Sequence, residues 1–122
     1  MKNQSKALLR QFNTQVDKDY RLIKTHLILE EVSELTEAIM RGDEEATLDA
    51  LADSIYVIIG AAITFDLPLA EAFNEVQRSN MSKTVNGGSD PRLADKGATY
   101  SPPDLVGILA RYRERQNQND TT

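Results

Sequence analysis

The spacing most suggestive of chemistry lies in two short acidic stretches. Glu30, Glu31, Glu34 and Glu37 fall within eight residues, and Asp49 and Asp53 follow twelve residues later. If 20–41 is a helix at about 100° per residue, and Leu27 is set at zero, Ile28, Val32, Leu35 and Ile39 fall between roughly 80° and 140°. On the same scale Glu31 lies near 40°, Glu34 near 340° and Glu30 near 300°. Two carboxylates therefore sit inside the arc that should face a core, and a third sits at its edge. Asp49 and Asp53 are one turn apart on the next helix, with Tyr56 and Gly60 continuing their stripe, and are the only charged residues from position 46 to 65. Carboxylates on apolar arcs are costly unless they are paired, hydrogen-bonded or bound to metal. A hard divalent cation with oxygen ligands offsets their repulsion, and Mg²⁺ is the usual one where phosphate is also present. A di-iron centre would need Glu-x-x-His on two helices. The chain has one histidine, His26, three residues after Ile23, so that set is incomplete.

The elements that must position these carboxylates read as helices. Leu8, Leu9, Phe12 and Val16 have helical spacing over 4–17. A second helix is expected over 20–41, stopped by Gly42. Asp43 is a suitable N-cap for a third, with Glu44 and Glu45 in its first turn, running to about Phe65. That third helix is apolar around most of its circumference and should be buried on most sides, Tyr56 included. Pro68 suits the start of a fourth, which ends near Ser79. No alternating strand pattern is present. Residues 84–103 hold Gly87, Gly88, Pro91, Gly97, Pro102 and Pro103 and read as a long loop. A short helix is expected over 104–115, with a frayed tail over 116–122. The expectation is one all-α domain over 1–122, a four-to-five-helix bundle with its helical core at about 4–80, completed by oligomerisation into a homodimer or homotetramer.

Bulk properties narrow the function. There is no cysteine, which excludes disulfides, thiolate zinc sites and cysteine nucleophiles. Net charge is −5. Residues 1–77 hold seven Lys/Arg against fourteen Asp/Glu, and residues 78–122 hold seven against five. An acidic chain without a basic stripe is a poor ligand for nucleic acid. An acidic body beside a mildly basic C-terminal portion suits a metal ion and a phosphate held together. Residues 1–10 lack the apolar core of a signal peptide. The apolar run 54–65 is short of the roughly 20 residues of a membrane span. A cytoplasmic protein that binds no membrane is expected.

Two acidic segments and two later ones carry a family resemblance. Glu30-Glu31-Val32-Ser33-Glu34, then Asp49-Ala50-Leu51-Ala52-Asp53, resembles the Glu-Glu-x-x-Glu and Glu-x-x-Asp signature of the MazG-like all-α nucleoside triphosphate pyrophosphohydrolases. Glu75-Val76-Gln77-Arg78-Ser79-Asn80-Met81-Ser82-Lys83 is similar to a segment of the phosphoribosyl-ATP pyrophosphohydrolase-like branch, and Lys96-Gly97-Ala98-Thr99-Tyr100-Ser101-Pro102-Pro103-Asp104-Leu105 to that branch's ending. The resemblance spans roughly residues 20–109.

The resemblance implies a Mg²⁺-dependent hydrolase, with Mn²⁺ as a substitute, that converts a nucleoside triphosphate or related nucleotide to the monophosphate and pyrophosphate. Glu30, Glu31, Glu34 and Asp53, helped by Asp49, would hold the metal. Glu31 or Glu34 would orient the attacking water or take its proton. Arg78, Lys83 and Lys96 would meet phosphates, and Asn80 the sugar or base. Two positions depart from the pattern. Ala50 stands where the signature has the glutamate of Glu-x-x-Asp, so Asp49 would serve from a shifted position. Val57 follows Tyr56 where histidine-biosynthesis enzymes of this fold usually carry histidine, which counts against phosphoribosyl-ATP as substrate. A catalytically silent helical oligomer that binds nucleotide or protein is the reading from another class.

Overall fold

The computed structural model describes residues 16–85 and 94–121. The chain divides into two compact units, Met1–Asp66 and Leu67–Thr122. Among the described residues it is all-α, with four helices: α1 (Val16–Arg41), α2 (Glu44–Thr64), α3 (Leu69–Met81) and α4 (Leu105–Asn119). A two-residue antiparallel ladder, β1 (Thr84–Val85) with β2 (Ala94–Asp95), adds to them.

In the first unit α1 and α2 form a helical hairpin with a two-residue link. Gly42 takes φ +69°, a left-handed value that favours glycine. Its N–H donates to the Ile39 carbonyl (3.0 Å) and the Asp43 N–H to the Ala38 carbonyl (3.1 Å). These two bonds close α1 in a Schellman motif. Asp43 then caps α2 directly, its carboxylate accepting from the Ala46 N–H at 3.0 Å. So short a link makes the helices antiparallel neighbours. Their seam is closed by small residues, Ala38 on α1 and Ala50 and Ser54 on α2, at 2, 5 and 6% exposure. Leu27, Ile28, Glu31 and Leu35 continue the seam on α1, half-buried. At its far end α2 stops with Asp66 at φ 52°, donating to the Ile63 carbonyl.

The second unit sets α3 against α4. Glu71 near the start of α3 pairs with Arg115 near the end of α4, and Glu75 meets the N-terminus of α4, so the two helices are antiparallel. Among its described residues, Ser79 and Ile108 are buried. Asp104 caps α4 by accepting from the Gly107 N–H at 3.0 Å.

Several sequence expectations change. No break separates 16–19 from the helix expected at Tyr20: α1 is continuous from Val16. The rest of the expected 4–17 helix, with Leu8, Leu9 and Phe12, lies outside the described residues, as do Gly87, Gly88 and Pro91 of the expected loop. That loop contains the β1–β2 ladder, which periodicity missed because each strand is two residues long. The tail expected to fray from 116 is helical to Asn119. The largest correction concerns α2. Only Ala50 and Ser54 of its residues are buried, and Tyr56 is 80% exposed. One neighbouring helix covers one face, and α2 has an apolar surface on more than one. By length and composition α2 is long and apolar enough to cross a membrane, a property the 12-residue run did not suggest. Asp49 and Asp53 inside it are costly in a bilayer.

Candidate functional site

Helix geometry divides α2 into three faces. Ala50, Ser54, Val57 and Ala61 lie on the side that meets α1. Asp49, Asp53, Tyr56 and Gly60 form a stripe on one flank. Leu48, Leu51, Ile55, Ile58, Ile59 and Ile63 form an apolar arc on the other, all of them exposed. On α1, Glu31 lies within the seam, and Glu30 and Glu34 are exposed along its edge.

The two-residue link sets the level of the facing residues. Glu31 is eleven residues before Gly42, and Ser54 is eleven after Asp43, so Glu31 stands at the level of Asp53 and Ser54. Lys24 confirms the register further along: a Cβ added to Gly60 would meet its Nζ at 3.6 Å. At that shared level two side-chain atoms, Glu31 Oε2 and Ser54 Oγ, are buried without a hydrogen-bond partner. Burial holds the Glu31 carboxyl above the ordinary carboxylate range, and the neighbouring charges of Glu34, Asp53, Glu30 and Asp49 push it further up. The other four carboxylates expected to hold metal therefore all act on Glu31 at one edge of the hairpin.

The edge is a concentration of charge rather than a finished cage. Among the described residues, no three acidic or histidine side chains converge closely enough to form a ready ligand set. Like charges without a counter-ion spread toward water. The donor chemistry fits Mg²⁺ nonetheless. Every donor is a hard oxygen, one of them is orphaned in the seam, and Mg²⁺ commonly uses one or two carboxylates and keeps its waters. Position 50, where the signature has glutamate, faces α1 inside the seam, and Asp49 lies beside it on the exposed flank. His26 is exposed, 4.0 Å from Glu30, and belongs to the surface.

The other expected residues lie in the second unit. Arg78 Nε and Nη2 donate to both oxygens of Glu75 (2.9 and 2.7 Å), and Nη2 also donates to the Pro102 carbonyl (3.0 Å). Lys83 Nζ donates to Asn80 Oδ1 at 2.9 Å. Lys96 lies 5.2 Å from the centre of the Tyr100 ring, a cation–π contact. Lys24, Ser54 and Glu75 were not singled out from the sequence. Lys24 and Ser54 could have been found by extending the seam of Glu31 and Ala50 by whole turns. Glu75 was missed although Arg78 is only three residues away, because its bond from the Asp104 N–H spans 29 positions.

The chain matches the family model described as phosphoribosyl-ATP pyrophosphohydrolase over residues 10–80, more than half of its length. It belongs to that family, within the MazG-like all-α nucleoside triphosphate pyrophosphohydrolase superfamily. Membership supports a pyrophosphohydrolase activity of the phosphoribosyl-ATP type. No curated protein matched the chain, and no solved structure did. The ladder, Lys83, Lys96 and α4 lie beyond the matched residues.

Proposed function

We propose that the protein is a Mg²⁺-dependent pyrophosphohydrolase that cleaves a nucleoside or deoxynucleoside triphosphate to the monophosphate and pyrophosphate, in a house-cleaning role in the cytoplasm. The observation that carries this is the crowding of Glu30, Glu34, Asp49 and Asp53 around Glu31, whose Oε2 is buried and unpartnered. Such an arrangement is costly in a purely structural hairpin, where apolar residues would serve better. Bound there, the cation would neutralise charge on the triphosphate. The chain's own residues do the rest. Glu30, Glu31, Glu34 and Asp53, with Asp49, would hold the cation from both helices. Glu31, whose affinity for a proton is raised, is the residue suited to take one from the attacking water, with Glu34 as the other candidate. Asn80, Lys83 and Lys96 are assigned to the nucleotide on their chemistry: two ammonium groups for phosphate and an amide for sugar or base.

A second substrate class is a phosphoribosylated nucleotide, favoured by the family match. Val57 after Tyr56 weighs against it. We further propose that the exposed arc of α2 packs against a second copy of the chain. The arc runs into a shallow, mostly apolar depression lined by Ile39, Gly42, Glu44, Thr47, Leu48 and Leu51. A bilayer would have to accept Asp49 and Asp53, whereas a second copy can leave that flank in water.

The test is product analysis. Purified protein is incubated with ribo- and deoxynucleoside triphosphates and a phosphoribosylated nucleotide, with and without Mg²⁺. Metal-dependent pyrophosphate supports the proposal, and orthophosphate alone counts against it.

A further inference from the structure

We propose that Glu75 and Arg78 are positioning residues: together they clasp the returning segment 99–104 to α3 and thereby set Lys83 opposite Lys96 as a two-lysine anion clamp. The clasp is built from one carboxylate and one guanidinium. Glu75 receives both Arg78 donors, and its Oε1 also accepts the Asp104 N–H at 2.9 Å. Arg78 in turn holds the Pro102 carbonyl. A second tie lies one turn on. The Ser101 N–H donates to Ser82 Oγ (2.9 Å), and Thr99 Oγ1 donates to the Ser82 carbonyl (3.2 Å). These bonds join residues 17 to 29 positions apart, so they close the excursion between α3 and α4 at its base.

The consequence appears in the ladder. Thr84 pairs with Asp95 and Val85 with Ala94. The same antiparallel register, continued by one residue, sets Lys83 opposite Lys96. Lys83 Nζ turns to Asn80 and Lys96 to the Tyr100 ring, both neutral partners that an anion between the two lysines would displace. The clasp holds the backbone that carries them. Arg78 aims its Nε and Nη2 donors at the carboxylate and the carbonyl, so that edge of the guanidinium is turned to the clasp rather than to the anion. The Glu75 carboxyl is depressed to about 2, chiefly by the hydrogen bonds from Arg78, so the clasp stays charged across the working range of pH.

That the anion is a nucleotide phosphate rests on the function proposed above; the clasp itself does not. The test titrates inorganic pyrophosphate into the full-length protein by calorimetry, alongside amide exchange at Ser101 and Asp104 and steady-state kinetics. The variants are Glu75→Gln, Arg78→Lys and Lys83→Gln. Simple electrostatics says that removing the Glu75 charge should tighten anion binding. The clasp predicts the reverse. Glu75→Gln and Arg78→Lys should each weaken pyrophosphate by about tenfold, raise KM in proportion with little change in kcat, and speed exchange at both amides. Lys83→Gln should weaken binding with exchange unchanged. Tighter or unaltered pyrophosphate binding in Glu75→Gln overturns the proposal. So does weaker binding in Arg78→Lys with both amides still protected, which would make Arg78 a direct ligand. Absent binding to the wild-type protein overturns it too. If pyrophosphate binding follows the clasp but no nucleotide is hydrolysed, the proposed function fails and this inference stands.

Discussion

Replacing Ile63 with aspartate should separate two copies of the chain without harming the fold of either. Ile55, Ile59 and Ile63 recur every four residues along α2 and are 58, 47 and 75% exposed. Fully burying an isoleucine is worth about 1.5–3 kcal/mol. Three quarters of that, from Ile63 alone, is about 1–2 kcal/mol per chain. A two-fold interface uses each patch twice, so the loss becomes about 2–4 kcal/mol per dimer, or roughly 30- to 1,000-fold in Kd. Desolvation of the new carboxylate adds to it. The fold of the single chain should be indifferent, since Ile63 makes little contact within it. Sedimentation velocity is the assay, with far-UV circular dichroism as the control. The 13.6 kDa chain should sediment at about twice that mass in the wild type, and Ile63→Asp at the monomer mass over the same concentrations. A wild-type monomer at tens of micromolar, or an Ile63→Asp protein that keeps its mass, would refute the argument from the exposed arc.

Other consequences follow from single residues. Glu31→Gln removes the carboxylate that its neighbours disfavour, so the metal-free variant should melt higher than wild type at neutral pH, while Mg²⁺ should raise the midpoint of wild type by several degrees and leave the variant nearly unmoved; calorimetric scanning reads both. The Glu75 carboxyl is depressed from 4.5 to about 2, so the unfolded chain binds its proton first as pH falls. Its stabilising contribution is thus full above about pH 4.5 and lost on the way down to about 2, and in Glu75→Gln the melting profile should be flatter over that window. Gly42→Ala should cost about 1 kcal/mol in urea unfolding, a purely conformational cost because an added Cβ would meet no atom within 4 Å. No loss there would mean that the hairpin link is not held at its left-handed angle.

What could be read from the sequence is what depends on neighbours in the chain. Gly42 and Asp43 announce a helix end and a helix start through their own conformational and capping chemistry, and both act so in the fold. The angular position of Glu31 on α1 follows from spacing alone, and it lies in the seam. The burial of α2 was overestimated because periodicity tells which faces are apolar and not how many partners a single chain provides. Tyr56 was misplaced for that reason. The orphaned Ser54 hydroxyl could not be seen, since a serine becomes unpartnered only through what packs on it. The clasp was hidden more deeply: Glu75 meets Asp104 across 29 positions, and no local pattern records such a bond.

The most direct test of the account is the product released from a panel of ribo- and deoxynucleoside triphosphates. The wild-type protein should yield pyrophosphate from some members of the panel, only with a divalent cation, and Glu34→Gln should lose that activity while keeping its helical content. Orthophosphate as the sole product, or pyrophosphate formed equally well by Glu34→Gln or without metal, would contradict the role given to the acidic edge of the hairpin.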